Sequence, residues 1–284
     1  MTRTPSAESV TFESAVVGGV PGWWARPADA VVAGAILYLH GGAYVVGSAR
    51  AYRHFAGQIA SRAKAPAFVA DYGLAPERPF PAAINDAEAA YRGLIAAGFS
   101  GIAIVGDSAG GGLALAIVAR ICHAAGDGMT PSAVAACVMS PWTDLILTGE
   151  SMESRAKHDP LLTRGALEAA RHLYLGQEDA KDARASPLYA DLAGLPPIQL
   201  HVGEDEILLD DAQRYADLLA KSGSAADLHV WQGMVHVFPA NLALLHAARE
   251  ALDIAGAFLR HNLAQCNVSQ FHTGRSSHSN EGTT

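Results

Sequence analysis

The sequence predicts an α/β protein built on a mainly parallel sheet with helices on both faces, and two observations carry that prediction. Short Val- and Ile-rich runs recur along the chain, each bounded by turn residues, and longer stretches of helical periodicity lie between them. Strands that alternate with helices in this way are joined by crossovers, and the crossovers cover both faces of the sheet. The size agrees. A chain of 284 residues, half of them apolar and only 17% charged, has the material for one large core.

In chain order, the first strands begin by Phe12–Val20. Buried strands follow at Ala35–Leu39, Ala67–Ala70, Ile102–Val105, Val134–Met139 and Ile198–Val202, and a last strand at Asp227–Trp231. Helices are expected at Ala82–Ala96, Gly112–Ala125 and Asp211–Ala220, with a closing helix at Asn241–Leu259. Residues 142–195 are too long for one crossover. Their helical pattern, Thr163–Leu175, sits between Pro160 and Pro187, which reads as an insertion of the kind that covers a site. The expected organisation is a single domain over residues 1–263, with cap elements from 1–12 and 142–195. Residues 264–284 are rich in Ser, Thr, His, Asn and Gly and are expected to form a disordered polar tail.

Charge and cysteine content exclude several function classes. With 28 acidic against 20 basic residues and no basic run, there is no footprint for nucleic acid or a polybasic membrane contact. No run approaches the ~18 apolar residues of a membrane span, so no stable membrane insertion is expected. Cys122, Cys137 and Cys266 are odd in number and widely spaced, which fits a reducing compartment and predicts a cytoplasmic location. The oligomeric state stays open, a homodimer included.

The chemistry concentrates in three places. Ile102 to Gly112 contains Gly106-Asp107-Ser108-Ala109-Gly110, a G-x-S-x-G pattern with a strand running in and a helix running out, which is the context that lifts a nucleophilic serine above a sheet. A phosphate-binding Gly-rich turn is the competing reading. The helix N-terminus there favours developing negative charge. Earlier, Leu39-His40-Gly41-Gly42-Ala43 places a Gly pair at a strand end. Its N–H groups, with that of Ala109, are the expected oxyanion donors. His40 reads as a residue that holds this loop. His236 lies after the last strand and before the closing helix, the place of the base in the order Ser, acid, His. The acid must orient the imidazole, and Glu204, Asp205 and Glu206 are all candidates. Asp210 and Asp211 read as helix-start residues. A metal site of clustered acids lacks a histidine at ligand spacing.

These residues resemble the bacterial hormone-sensitive-lipase-like esterases of the α/β-hydrolase superfamily. The likeness runs through His40-Gly41-Gly42-Ala43, the Asp71 to Glu77 segment with Pro79-Phe80-Pro81-Ala82, Gly106 to Gly111, Ser140 to Leu145, Gly194 to Pro197 and Gly233 to Phe238, over roughly residues 30–260. It implies an α/β-hydrolase fold with a helical cap and a cofactor-free carboxylesterase acting on small-molecule esters of short or medium acyl chain. Lactone or acetyl-ester hydrolysis by the same residues is the alternative, and a non-catalytic small-molecule receptor a more distant one. The resemblance implies Ser108 as nucleophile, His236 as base and Gly41, Gly42 and Ala109 as oxyanion donors. Aligning the family's Asp-Pro-Leu-x-Asp run on Asp210 selects Glu206 as the acid, ahead of Asp205. Two departures stand out: Ala43 occupies the place of the usual third Gly, and the N-terminal arm is short.

Overall fold

The computed structural model describes residues 4–31, 33–125 and 133–273. An antiparallel hairpin of β1 (Val10–Val17) and β2 (Val20–Pro27) opens the chain. Next come β3 (Ala35–Leu39), α1 (Ala49–Ala63), β4 (Ala67–Ala70), α2 (Ala82–Ala96), β5 (Ile102–Asp107), α3 (Ser108–Ala125) and β6 (Ala135–Met139). The insertion carries α4 (Ser151–Ser154), α5 (Arg164–Leu175) and a 3-10 turn at Pro187–Tyr189. The chain then returns through β7 (Ile198–Gly203), α6 (Leu209–Lys221), β8 (Ala226–Trp231), a second 3-10 turn at Phe238–Asn241 and α7 (His246–Thr273).

The eight strands form one sheet in the order β1-β2-β4-β3-β5-β6-β7-β8. Pairing from β4 through β8 is parallel, and β2 joins β4 antiparallel. The central strands are buried at every position, as strands covered on both faces must be, and this is why they read as continuous apolar runs. One core cluster packs α2, α3 and α6 on one face, with Leu37, Ile104 and Val138 from the sheet. The other packs α1 and α7 against Ile36, Tyr38 and Val105. Alternate residues of each strand thus serve opposite layers.

Several expectations need correction. The closing helix starts at His246 rather than Asn241, since residues 238–241 form a 3-10 turn with Pro239 in its first positions. That helix also continues to Thr273, ten residues beyond the expected domain end at residue 263. The rest of the expected tail, 274–284, lies outside the described residues. Residues 10–12, assigned to a cap element, belong to β1, because Val10, Thr11 and Phe12 are in register with Pro27, Arg26 and Ala25. Ahead of them, Thr4 Oγ1 donates to the carbonyl of Ala240 at 3.0 Å and Gln58 Nε2 to that of Pro5 at 2.9 Å. Helix α1 is an addition: Ser48 caps it, its Oγ accepting the N–H of Ala51 at 3.2 Å.

Candidate active site

β5 ends at Asp107 and α3 begins at the next residue, with Ser108 in the left-handed region at φ 54°. Such a conformation in a non-glycine residue is strained and points to a held, functional position. The turn closes only because of its glycines. A Cβ on Gly110 would lie 2.1 Å from the carbonyl oxygen of Leu39, and one on Gly106 2.2 Å from that of Gly110. Ser108 is consequently presented at the strand's C-terminal end, over the positive end of α3.

His236 lies between β8 and the 3-10 turn, and its Nε2 is 3.0 Å from Ser108 Oγ. Its Nδ1 is 2.7 Å from Glu206 Oε2. Both His236 and Ser108 are 8% exposed, while Glu206 is fully buried. The other carboxylate oxygen, Oε1, accepts Ser140 Oγ–H at 2.7 Å and the Gly203 N–H at 2.6 Å. Ser140 Oγ in turn accepts the N–H of Val237 at 2.9 Å, so one hydroxyl ties the acid to the loop that carries the base. A buried carboxylate with three donors is the arrangement that makes its ionised form tolerable.

The three candidates in the acidic run therefore separate. Glu206 meets His236, whereas Asp205 takes part through its backbone, its N–H donating to the Met234 carbonyl at 2.9 Å. Glu204 Oε2 accepts the N–H of Gly233 at 3.3 Å. Asp210 and Asp211 tie α6 to the insertion, through the N–H of Ser151 and the N–H of Thr143 respectively. Among the described residues, no three His, Cys, Asp or Glu side chains converge as a metal-binding group.

The loop after β3 differs from expectation at one donor. The Gly41 N–H, expected to face an oxyanion, donates instead to Asp107 Oδ1 at 3.0 Å, and Tyr38 Oη–H donates to the same oxygen at 2.6 Å. The cause is non-local: the side chain just before the nucleophile folds back under the loop. Burial pushes the Asp107 carboxyl up to about 6, with the Tyr38 and Gly41 donors opposing that rise. Beyond Gly41, Gly42 and Ala43 line the pocket over Ser108, both with positive φ, 125° and 53°. His40 holds the loop from below. Its Nδ1 lies 2.8 Å from the Gly41 carbonyl, its ring stacks on Tyr72 at 4.4 Å, and its burial lowers its pKa.

Over Ser108 opens a cavity of about 580 Å³. Ala43, Val45 and Val46 form one wall, and Leu161, Leu162, Ala166, Leu167 and Ala170 of the insertion form the other. The floor carries Ser108 and His236. The lining is mainly apolar with a few convergent polar groups, as expected of a site for an apolar small molecule. Helix α5 is seated by Tyr174, whose ring stacks on Tyr44 at 3.9 Å and 4°. Phe80 meets Tyr174 edge-on at 5.7 Å, and the Phe80 N–H donates to its carbonyl at 2.8 Å. The insertion wall is thus bolted to the residue next to Ala43.

Comparison with known proteins agrees with this geometry. A family model for the alpha/beta hydrolase fold matches residues 36–240. An acetyl-hydrolase of Streptomyces hygroscopicus is 39% identical over 246 residues, which is 86% of this chain and 81% of that protein. The crystal structure of an esterase from the bacterial hormone-sensitive lipase family superposes with a TM-score of 0.86 at 41% identity, covering 91% of this chain and 86% of the other. EstE5, crystallised and soaked with p-nitrophenyl butyrate, superposes with a TM-score of 0.85 at 40% identity, over 92% and 87% of the two chains. Among the described residues, no helix is long and apolar enough to cross a membrane.

Proposed function

Because the chain belongs to the α/β-hydrolase fold family, in its hormone-sensitive-lipase-like branch, we propose that it is a serine carboxylesterase whose triad is Ser108, His236 and Glu206. The observation that carries the reading is the unbroken line Ser108 Oγ, His236 Nε2, His236 Nδ1, Glu206 Oε2, at 3.0 and 2.7 Å. With Nδ1–H held by Glu206, Nε2 is the free base and accepts the Ser108 proton as Oγ attacks the ester carbonyl. The imidazolium returns that proton to the leaving alcohol. Water, deprotonated by the same nitrogen, then releases the acid from Ser108. A receptor without turnover has no use for this alignment.

The negative charge on the carbonyl oxygen is met by backbone N–H groups. Ala109 is in the first turn of α3, where N–H groups have no acceptor within the helix. The proposed partners are Gly42 and, in place of Gly41, Ala43. Each such donor contributes about 2.7–4 kcal/mol to lowering the barrier. The wall from residues 142–195 acts as the cap in this reading, and the cavity suits short to medium acyl groups. The free thiols of Cys122 and Cys137 support a cytoplasmic location, which cell fractionation tests. A homodimer is also proposed, with sedimentation velocity as its measurement.

The test of the reaction is steady-state hydrolysis of p-nitrophenyl acetate and butyrate by wild type, Ser108→Ala and His236→Ala. Both variants are expected to lose turnover while keeping the fold by circular dichroism. Wild-type turnover in folded Ser108→Ala would remove the proposal.

A further inference from the structure

Asp159 stands in the insertion between α4 and α5, and it is 8% exposed. Its two carboxylate oxygens face different parts of the molecule. Oδ1 accepts the N–H groups of Leu161 and Leu162, both at 2.9 Å, and these two residues line the acyl cavity. Oδ2 accepts the N–H of Ile207 at 3.0 Å, and Ile207 directly follows the acid Glu206. Its side chain is fully buried. A second tie nearby runs from Ser151 Oγ to the Ile207 carbonyl at 2.6 Å, so both polar groups of the Ile207 backbone are gripped by the insertion.

We propose that Asp159 is a positioning residue that holds the acyl-pocket wall and the triad acid in one register. This rests on the reading of Glu206 as the acid. Hydrogen bonds from backbone N–H groups to a carboxylate are among the stronger and better directed ones. Here a single rigid group sets where Leu161 and Leu162 stand and where the chain leaves Glu206. The arrangement links substrate fit to chemistry. An acyl chain that displaces the Leu161–Leu162 turn also pulls on the backbone that aims Glu206 at His236, so a poorly fitting chain lowers kcat as well as raising KM.

The two arms separate by substitution. In Asp159→Asn the amide oxygen still accepts from Leu161 and Leu162, while the amide NH2 confronts the Ile207 N–H, so only the acid-loop arm is lost. In Asp159→Ala both are lost. The experiment measures kcat and KM for p-nitrophenyl acetate, butyrate and octanoate with wild type, D159N, D159A and E206Q, at a temperature below every unfolding transition. For D159N the expectation is a kcat lowered by about 10- to 100-fold, the scale of a small misplacement at a reacting centre, with the wild-type order of KM across the three chain lengths kept because the Leu161–Leu162 arm remains. For D159A the expectation is the same loss of kcat together with a changed chain-length preference. D159S, smaller and still able to accept one N–H, is read by the same criteria as D159A. Wild-type kcat in D159N, or unchanged chain-length preference in both D159A and D159S, overturns the proposal if E206Q is inactive. Full activity in E206Q instead overturns the assignment of the acid.

Discussion

Replacing Glu206 by Gln isolates the charge of the acid with little change of shape. In the native site three donors converge on the carboxylate: Ser140 Oγ–H and the Gly203 N–H on one oxygen, and His236 Nδ1–H on the other. An amide has one accepting oxygen. The Gly203 N–H cannot rotate away, so the amide oxygen turns toward it and the NH2 faces His236. That geometry stabilises the tautomer with hydrogen on Nε2, where it meets Ser108 Oγ and cannot take a proton. The corresponding change in serine proteases lowers kcat about 10⁴-fold, which at about 1.36 kcal/mol per decade is roughly 5 kcal/mol of barrier. The expected result is therefore a kcat about 10³- to 10⁴-fold lower for p-nitrophenyl butyrate, at unchanged secondary structure. Asp205→Asn, whose native contribution is through its backbone, is expected to stay within about twofold, since the substitution leaves that N–H in place. A Glu206→Gln enzyme within about tenfold of wild type, or an equal loss in Asp205→Asn, would mean that Glu206 is not the acid.

Other consequences follow from the same structure. Gly110→Ala places a methyl 2.1 Å from the Leu39 carbonyl and 2.4 Å from that of His40; with no side chain to yield, the loss is expected to reach about 3 kcal/mol or more, seen as a lower midpoint in urea. Ala170→Phe fills the α5 wall of the cavity and is expected to lower kcat/KM for butyrate and longer esters relative to acetate, by about tenfold or more per excluded methylene. Asp107 is harder to ionise folded than unfolded, its carboxyl rising from 3.8 to about 6 on burial. Its contribution to stability is thus complete below about pH 4 and lost as pH rises through about 6. Asp107→Asn should accordingly gain on wild type by about 2 kcal/mol between pH 4 and pH 7, read as the pH dependence of the difference in unfolding free energy; a constant difference would contradict the assignment.

How legible the molecule is in its sequence depends on the range of the forces involved. Strands β3 and β4 match the expected limits residue for residue, because burial on both faces leaves an unbroken apolar run. The nucleophile turn was legible for a similar reason, since its sterics lie within a few residues of Ser108. Helix α1 was not, because its buried face is mostly small residues, Ala49, Ala56, Gly57, Ala60 and Ala63, and it is tertiary packing of Phe55 and Ile59 on the sheet that makes it a helix. Helix α3 begins at Ser108 rather than Gly112, since glycines that look like breakers are there to let the helix approach the strands. The engagement of the Gly41 N–H by Asp107 is not legible locally, since that bond spans 66 positions. The role of Asp159 was equally hidden, as it exists only once the insertion folds onto the loop after β7.

In the proposed reaction Ser108 becomes covalently bonded to substrate with His236 as its base. The most direct measurement treats the enzyme with an aryl phosphonate, whose tetrahedral adduct cannot be released like an acyl group, and locates the adduct by peptide mass spectrometry. A single adduct on the peptide carrying Ser108 is predicted, formed in step with loss of esterase activity and absent in His236→Ala. Complete inactivation with the adduct on another residue, or with Ser108 unmodified, would mean that Ser108 is not the nucleophile.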